Sequence, residues 1–273
     1  MVKQGSDYKI GWYEETTWNQ APAGTDTSPI TYNVVGKIES ISFEISPTVE
    51  GLYDIGSRDV KTFYDGRREY GMSLEFLLTD KSILSSLLGG KSITVWLNDG
   101  GNDILLSGLV LDSMELSVAI DEAVTVSLDL VGGGLSTTAP SYASLPDQPS
   151  DIPVMFKDVS VSQDGSDIST KVQELSVEVS ESPETIYAFN SVEPQKIVFG
   201  TREVSGSITL ELVDLSELND VLNGTEHNLS ITLGTLGTLD VSGVRYEAYG
   251  QEIAPEDLVW LPLDFLAKSV SLS

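Results

Sequence analysis

Residues 37–88 read KIESISFEISPTVEGLYDIGSRDVKTFYDGRREYGMSLEFLLTDKSILSSLL, and residues 171–222 read KVQELSVEVSESPETIYAFNSVEPQKIVFGTREVSGSITLELVDLSELNDVL. The two stretches align without a gap at an offset of 134 residues, and about 16 of the 52 aligned positions are identical. The alignment resumes after a slip of one residue, where Ser107-Gly108 lies opposite Ser242-Gly243. A repeat of this length predicts that one structural unit occurs twice along the chain.

The stretch between the two repeats has the composition of a linker. Residues 132–153 read GGGLSTTAPSYASLPDQPSDIP, in which Gly, Ser and Pro dominate. We therefore predict an N-terminal arm over residues 1–33, a first domain over 34–132, a linker over 133–153 and a second domain over 154–273.

Each repeat has the alternating pattern of β-strands. Ile41, Phe43 and Ile45 alternate with polar residues, and Leu175, Val177 and Val179 do the same in the second copy. A period of two is typical of a strand with one buried face. Further strands are predicted at 93–97, 104–111, 114–120, 124–130, 229–233, 239–246, 248–253 and 259–266. The predicted fold class is all-β, with two tandem barrel or sandwich domains.

One short helix interrupts the strands of each repeat. In the first copy Asp80 or Ser82 can cap the helix, an apolar stripe follows, and Gly89-Gly90 ends it. In the second copy Asp214 or Ser216 caps the helix and Gly224 ends it.

A long segment without clear alternation follows the first strand of each repeat, at residues 47–65 and 181–199. Loops of this length are uncommon in compact domains and are often functional. We predict that each segment is either a hairpin arm that reaches a neighbouring subunit or a surface loop. The residues predicted to make inter-subunit contacts are Glu50, Tyr53, Arg58, Phe63, Glu184, Tyr187 and Phe189.

The chain is strongly acidic, with a formal charge of −27 and a pI near 4.1. Proteins that bind nucleic acids neutralise phosphates with Lys and Arg, so a broad DNA-binding surface is excluded. The acidity fits a salt-loving host, a channel wall that does not hold DNA, or both. Cysteine is absent, which excludes disulfides and thiolate metal sites.

No catalytic or cofactor-binding pattern is found in the sequence, so no enzyme activity, cofactor or metal is predicted. His227 is the only histidine, and no nucleophile motif accompanies it. Asp99-Gly100 and Asp164-Gly165 lack the spacing of a calcium loop and are predicted to be hairpin turns. The four tryptophans show no regular spacing, which favours packing roles over base stacking.

The stretch YKIGWYEETTWNQAPAGTDT at residues 8–27 resembles the opening of many phage and archaeal-virus tail tube proteins, a "gxxEExxxgxxP" arrangement. The order of strand, long loop, G-x-R-E strand, short helix and two hairpins also resembles the tail-tube fold. The resemblance implies a structural virion protein without catalytic residues, assembled in the host cytoplasm. It implies partners such as tape-measure, tail terminator and baseplate proteins, with viral double-stranded DNA passing through unbound and no membrane.

Most members of that family carry one such domain and form hexameric rings. A duplicated domain predicts instead that three chains form a pseudo-hexameric, homotrimeric ring, and that stacked rings form the tube. Polar residues are candidates for the channel wall or for an ordinary solvated face. They are Ser42, Glu44, Ser46, Glu69, Ser73, Ser176, Glu178, Ser180, Glu203 and Ser207. Arg68 and Arg202 are predicted to form structural ion pairs beside Glu69 and Glu203.

The sequence leaves two other classes of protein open. A surface adhesin or carbohydrate-binding module made of two β-sandwiches fits the acidity and the duplication. The N-terminus lacks the basic and apolar layout of a signal peptide, however, which favours assembly inside the cell. A β-sandwich hydrolase requires two carboxylates in a pocket, and the abundance of Asp and Glu prevents the sequence from identifying such a pair.

Overall fold

The computed structural model describes residues 8–147, 149–211, 216–247 and 260–273. These residues form a predominantly β structure, which confirms the predicted all-β class with one short helix in each repeat. The described elements are β1 (Lys9–Glu14), β2 (Ile30–Thr31), β3 (Lys37–Leu52), β4 (Thr62–Leu77), α1 (Ser82–Leu88), β5 (Ile93–Asn98), β6 (Asp103–Ala119), β7 (Thr125–Gly132), β8 (Gly134–Ser136), β9 (Ala143–Ser144), β10 (Val159–Gln163), β11 (Ser166–Asp167), β12 (Val172–Ser180), β13 (Glu184–Ile186), β14 (Lys196–Val198), β15 (Glu203–Glu211), α2 (Ser216–Asn223), β16 (His227–Leu233), β17 (Thr238–Tyr246), β18 (Trp260–Ala267) and β19 (Ser269–Leu272). Short 3₁₀ turns lie at Phe156–Asp158 and Ser169–Lys171.

One sheet runs through both sequence repeats. Its strand order is β11-β10-β16-β17-β18-β15-β12-β6-β7-β4-β3, and β1, β5, β8 and β19 branch from this path. Strands β3, β4, β6 and β7 come from the first half of the chain, and β12, β15, β17 and β18 come from the second. The halves are joined where β6 pairs antiparallel with β12.

Aligned residues of the two repeats are paired in the same register. Ser42 pairs with Ser73 in the β3–β4 hairpin, and the aligned Ser176 pairs with Ser207 in β12–β15. Farther out, Glu50 pairs with Tyr64, and the aligned Glu184 pairs with Val198 in the β13–β14 hairpin. The common register extends from the base of each hairpin to its outer part. The domain division predicted from the sequence remains a prediction.

One hydrophobic core extends across the junction between the halves. Leu116 of β6 pairs with Val177 of β12, and both are fully buried in the same cluster as Phe76 and Phe265. A smaller cluster forms around Tyr32, where the ring of Trp96 packs edge-on at 5.3 Å between ring centroids.

Both helices end at glycines in the left-handed region, Gly90 (φ +71°) and Gly224 (φ +63°), as is typical of helix C-termini. At the start of α1 the carboxylate of Asp80 accepts the backbone N–H of Ser82 at 2.6 Å. The residue at the N-cap position is Lys81, so Asp80 acts from one residue earlier than a standard cap.

Some predicted segments contain strands, and two predicted strands are continuous. The predicted N-terminal arm contains β1, which pairs with β5 and belongs to the sheet. The predicted linker contains β8 and β9, which pair with β6 and β2. The strands predicted at 104–111 and 114–120 are one strand, β6, with a bulge between Leu111 and Ser113. The strand predicted at 248–253 lies outside the described residues.

Candidate assembly surface

The junction between the halves places β12 in the interior of the sheet. β12 lies between β6 and β15, and its inward residues Leu175, Val177 and Val179 are fully buried. These are the apolar residues that alternate with polar ones in the sequence, so the pleat places all of them on the core face. The pairing of β6 with β12 therefore makes β12, the first long strand of the second repeat, an interior strand of the sheet.

β3, the aligned counterpart of β12, has a different environment. It is the last strand in the order of the sheet, and no described strand pairs with its outer side. Phe43 and Ile45, which align with Val177 and Val179, are 40% and 38% exposed. An unpaired strand with exposed apolar side chains is a template for pairing with another chain. We call this strand the open edge.

Residues 47–65 form an extended hairpin, which is one of the two alternatives that the sequence left open, and we call this hairpin the arm. The paired strands β3 and β4 continue to Leu52 and Thr62, and the chain turns back between them. Several of its apolar side chains face solvent, with Tyr53 63% and Phe63 68% exposed. The predicted inter-subunit residues Glu50 and Arg58 are exposed on the same arm. Their role between subunits remains a prediction.

The aligned segment 181–199 instead lies against the first half of the same chain, and we call it the clasp. Its Glu193 forms an ion pair with Arg68 at 2.8 Å and accepts the hydroxyl of Tyr70 at 2.5 Å. The Tyr187 hydroxyl donates to the Arg68 carbonyl at 2.7 Å, and the Arg68 N–H donates to Val192. Of the remaining predicted contact residues in the clasp, Glu184 and Phe189 are exposed.

A cleft of about 550 Å³ remains between the clasp and the base of the β3–β4 hairpin. Glu44, Arg67 and Tyr187 line it, and the Arg67 guanidinium lies 5.7 Å from the centre of the Tyr187 ring. The pKa of Tyr70 is raised to about 12, mainly by burial and secondly by the hydrogen bond to Glu193. The neutral phenol is therefore the form that holds the clasp.

Both predicted arginines form ion pairs, but with other partners than the neighbouring Glu69 and Glu203. Arg68 pairs with Glu193, and Arg202 pairs with Glu181, which is 6% exposed. Arg202 also donates to the carbonyl of Leu88 at 2.8 Å, across the junction between the halves. These arginines therefore connect the two halves.

The polar residues predicted for the channel wall all lie on one face of the sheet, opposite the core. Directly paired residues share a face, and the pairing links Ser42 to Ser73 and then to Asp129. The same face continues across the junction between β6 and β12, where Glu178 lies opposite Glu115. The residues on this polar face are Ser42, Glu44, Ser46, Glu69, Ser73, Ser176, Glu178, Ser180, Glu203 and Ser207. Ser73 and Ser113 both donate to Asp129, at 2.6 and 3.1 Å.

Glu15 holds the opening motif against the first half. It is 7% exposed and accepts hydrogen bonds from Ser92, Thr94, and the backbone N–H groups of Asn19 and Gly108, at 2.7 to 2.8 Å. The sequence contained the residue in a recognisable motif but gave no sign that its carboxylate is buried. A buried carboxylate is tolerated where donors surround it in this way.

The other residues considered for chemistry have packing or turn roles. Asp99 and Asp164 lie in hairpin turns as predicted, and Trp12 and Trp96 are buried. His227 begins β16, where its Nδ1 lies 2.7 Å from Asp164 and its Nε2 lies 3.1 Å from Asp220. Nε2 is buried and has no hydrogen-bond partner among the described residues.

The described residues contain no group of three or more His, Asp or Glu placed to hold a metal ion. No helix in the described part of the chain is long and apolar enough to cross a bilayer.

A comparison with protein families supplies the deciding observation. Residues 5–267 match the family described as phage tail tube protein. The chain belongs to the phage tail tube protein family. A search of curated proteins finds no match. The resemblance noted from residues 8–27 is thereby confirmed, and the match covers nearly the whole of this tail tube protein. Membership identifies it as a structural component of the virion tail that assembles into a tube with other tail components.

Sequence reasoning about this tail tube protein missed Glu193 and Arg67 at the clasp. The alignment did show that an arginine and an acidic residue recur at the same places in both repeats, since Arg68 aligns with Arg202 and Asp59 aligns with Glu193. Without the structure, nothing indicated that a residue in the long segment of one repeat reaches the strand of the other.

Proposed function

We propose that this protein assembles into closed rings in which the open edge of each copy is covered by the second half of a neighbouring copy. Antiparallel edges pair readily, and a closed ring leaves none of them open. The same surfaces join every pair of neighbours, so the contact is head to tail.

The contrast between β12 and β3 carries this proposal. The aligned residues Val177 and Phe43 have the same place in the same hairpin register. Val177 is fully buried because β6 covers the edge of its strand, whereas Phe43 is 40% exposed. A second copy that supplies the missing neighbour would give both strands the same environment.

We further propose that three chains form one ring. Each chain contributes two halves, so three chains supply the six tube units of a pseudo-hexameric ring. Stacked rings then form the tube through which the genome is ejected. The proposed partners are the tape-measure, tail terminator and baseplate proteins, and assembly takes place in the host cytoplasm. The role is structural, without enzymatic activity.

The polar face of the sheet is the proposed wall of the channel. It carries serines and carboxylates, among them Glu44, Glu115 and Glu178. The Arg67 guanidinium on this face is paired with Glu69 at 3.0 Å, and carboxylates dominate around it. Such a wall offers DNA phosphates little attraction, so DNA passes without specific binding. Repulsion acts within about 8 Å at physiological salt and within about 3 Å at 1 M salt. A map of the assembled tube in which Glu44 and Glu178 face outward contradicts this assignment.

Negative-stain electron microscopy of purified protein tests the ring. We expect rings or tubes from the unaltered chain, with threefold symmetry in averaged end views. Phe43→Asp places a charge on the open edge and should leave folded monomers, since burying an unpaired charge is costly. Tyr142→Asp is the matched control at an exposed aromatic away from the edge, and it should assemble normally. A ring of six full chains overturns the trimer, and a stable monomer under all conditions overturns the proposal.

A further inference from the structure

The arm and the clasp present the same side chains. Tyr53 aligns with Tyr187, Ser57 with Ser191 and the acidic Asp59 with Glu193. Both outer hairpins have the same register, as the pairs Glu50–Tyr64 and Glu184–Val198 show. The clasp residues hold Arg68 within the chain, whereas Tyr53 is 63% exposed and Asp59 is also exposed.

The turns that carry the two acidic residues are also built alike. The Ser191 hydroxyl donates to the carbonyl of Glu193 at 3.0 Å and accepts its N–H at 3.1 Å. The Ser57 hydroxyl donates to the carbonyl of Asp59 at 3.0 Å and accepts its N–H at 3.1 Å. Asp59 is therefore held at the tip of the arm in the local geometry that presents Glu193 to Arg68.

The second half carries the counterpart of the surface that receives the clasp. Arg202 occupies the position aligned with Arg68, immediately before β15. Nearby positions differ in burial: Leu88 at the end of α1 is 9% exposed, while the aligned Leu222 at the end of α2 is 73% exposed. The carbonyl of Leu88 is the one that Arg202 reaches from the second half. Leu88 is thus buried where Arg202 of the second half reaches it, whereas the aligned Leu222 is exposed in the described chain.

We infer that the arm is an inter-subunit clasp, in which Tyr53 and Asp59 of one copy bind at Arg202 on the second half of another copy. The contact copies the one that Tyr187 and Glu193 make with Arg68 inside the chain. Asp59 supplies a second carboxylate for the Arg202 guanidinium, which already pairs with Glu181 in its own chain. The Tyr53 hydroxyl donates to the Arg202 carbonyl. This inference rests on the proposed head-to-tail ring and specifies where the arm goes in it.

The arm bends when it docks. Between β12 and β13 the pairing is interrupted, and Ser182 adopts φ +43°. A Cβ on Gly200 would lie 2.5 Å from the Ser182 carbonyl, so the bent clasp requires glycine there. The aligned Gly66 lies opposite Thr48, where β3 has a register shift but remains paired with β4. The undocked arm is therefore the straighter form of the same hairpin.

Photo-cross-linking identifies the surface that the arm touches. p-Benzoylphenylalanine at position 53 replaces one exposed aromatic side chain with another, so the fold is retained. We expect ultraviolet light to link it to residues 199–204 of a second copy, mapped by mass spectrometry after mixing isotope-labelled and unlabelled chains. The same probe at position 142 should not link to residues 199–204.

A second experiment measures the contribution of the arm to assembly. Tyr53→Phe combined with Asp59→Asn should raise the critical concentration for assembly about tenfold, because a hydrogen bond to a charged group is lost. The matched control combines Tyr64→Phe with Asp54→Asn, which removes contacts that stay within the arm, to Glu50 and Lys61. The control should assemble at the concentration of the unaltered chain.

The outcomes separate this inference from the proposed ring. Tubes whose cross-links from position 53 lead only to other surfaces overturn the inter-subunit clasp and leave the ring intact. Equal critical concentrations for the arm variant and its control also overturn the clasp. A chain that never assembles and yields no intermolecular cross-link counts against both proposals.

Discussion

β3 and β12 are aligned strands with the same alternation and the same hairpin register, yet one lies at an edge and the other in the interior. The difference arises from the neighbour: β6 covers β12 within the chain, and no described strand covers β3. The comparison shows that the chain completes the junction between its two halves at β12 and leaves the aligned strand β3 at an edge of the described sheet.

A second comparison concerns β1 and β10, which pair with β5 in the first half and with β16 in the second half. In the first half β1 pairs with β5, and the residue after β1, Glu15, is buried among four donors. In the second half β10 pairs with β16, and the residue after β10, Asp164, bonds to the N–H of Asn228 with a side chain 48% exposed. An acidic residue therefore follows β1 and β10 alike, but Glu15 is buried whereas Asp164 is half exposed.

The largest expected effect is at Glu15. Glu15→Ala should lower the free energy of unfolding by about 4 kcal/mol, because buried donors lose their acceptor. Asp164→Ala should cost about 1 kcal/mol, since the Asp164 side chain is 48% exposed. Urea denaturation of monomeric protein measures both values. Equal losses at the two sites would show that burial does not distinguish them.

The next effect concerns the aligned core positions Leu175 and Ile41. Leu175→Ala in the fully buried strand should cost about 3 kcal/mol through lost contacts and a cavity. Ile41→Ala on the half-buried open edge should cost about 1 kcal/mol in the monomer. Chemical denaturation below the assembly concentration makes the measurement. A cost at Ile41 that matches Leu175 would contradict the open edge.

A smaller effect is expected at the clasp. Glu193→Gln should lower the free energy of unfolding by less than about 1 kcal/mol, because the ion pair with Arg68 is partly exposed. The aligned Asp59→Asn should leave the stability of the monomer unchanged. Thermal unfolding of dilute protein compares the two variants. A loss at Asp59 in the monomer would mean that the arm already has a partner within its own chain.

The smallest effect is the pH dependence of the clasp. Tyr70 has a pKa raised by burial to about 12, so its contribution is fully present below the unfolded value near 10. It is lost as the pH rises from about 10 through 12. Tyr70→Phe should remove this part of the alkaline destabilisation, whereas Val204→Ile at the aligned position should not. Denaturation between pH 9 and 12 tests this, and identical profiles for the Tyr70 variant and the unaltered chain would contradict it.

Much of the fold and part of the candidate site could be predicted from local pattern. The repeat, the alternation at Ile41 and Leu175, and the helices that end at Gly90 and Gly224 are properties of short stretches. The same alternation placed Ser42 with Glu44 on one side of β3 and Ser176 with Glu178 on one side of β12, because the pleat decides which residues of a strand share a side. That the two groups lie on one face follows from the strand pairing. The use of that face as a channel wall remains a proposal.

The sequence by itself determined two hairpins of one kind, their inward and outward residues, and the absence of cysteine chemistry. Only the tertiary structure decided that β12 is interior and β3 is an edge, and that Arg68 pairs with Glu193 instead of Glu69. The physical reason is that alternation records the orientation of a side chain relative to its own strand. Burial and ion pairing depend on which distant segment packs beside that strand, and aligned sequences can receive different neighbours.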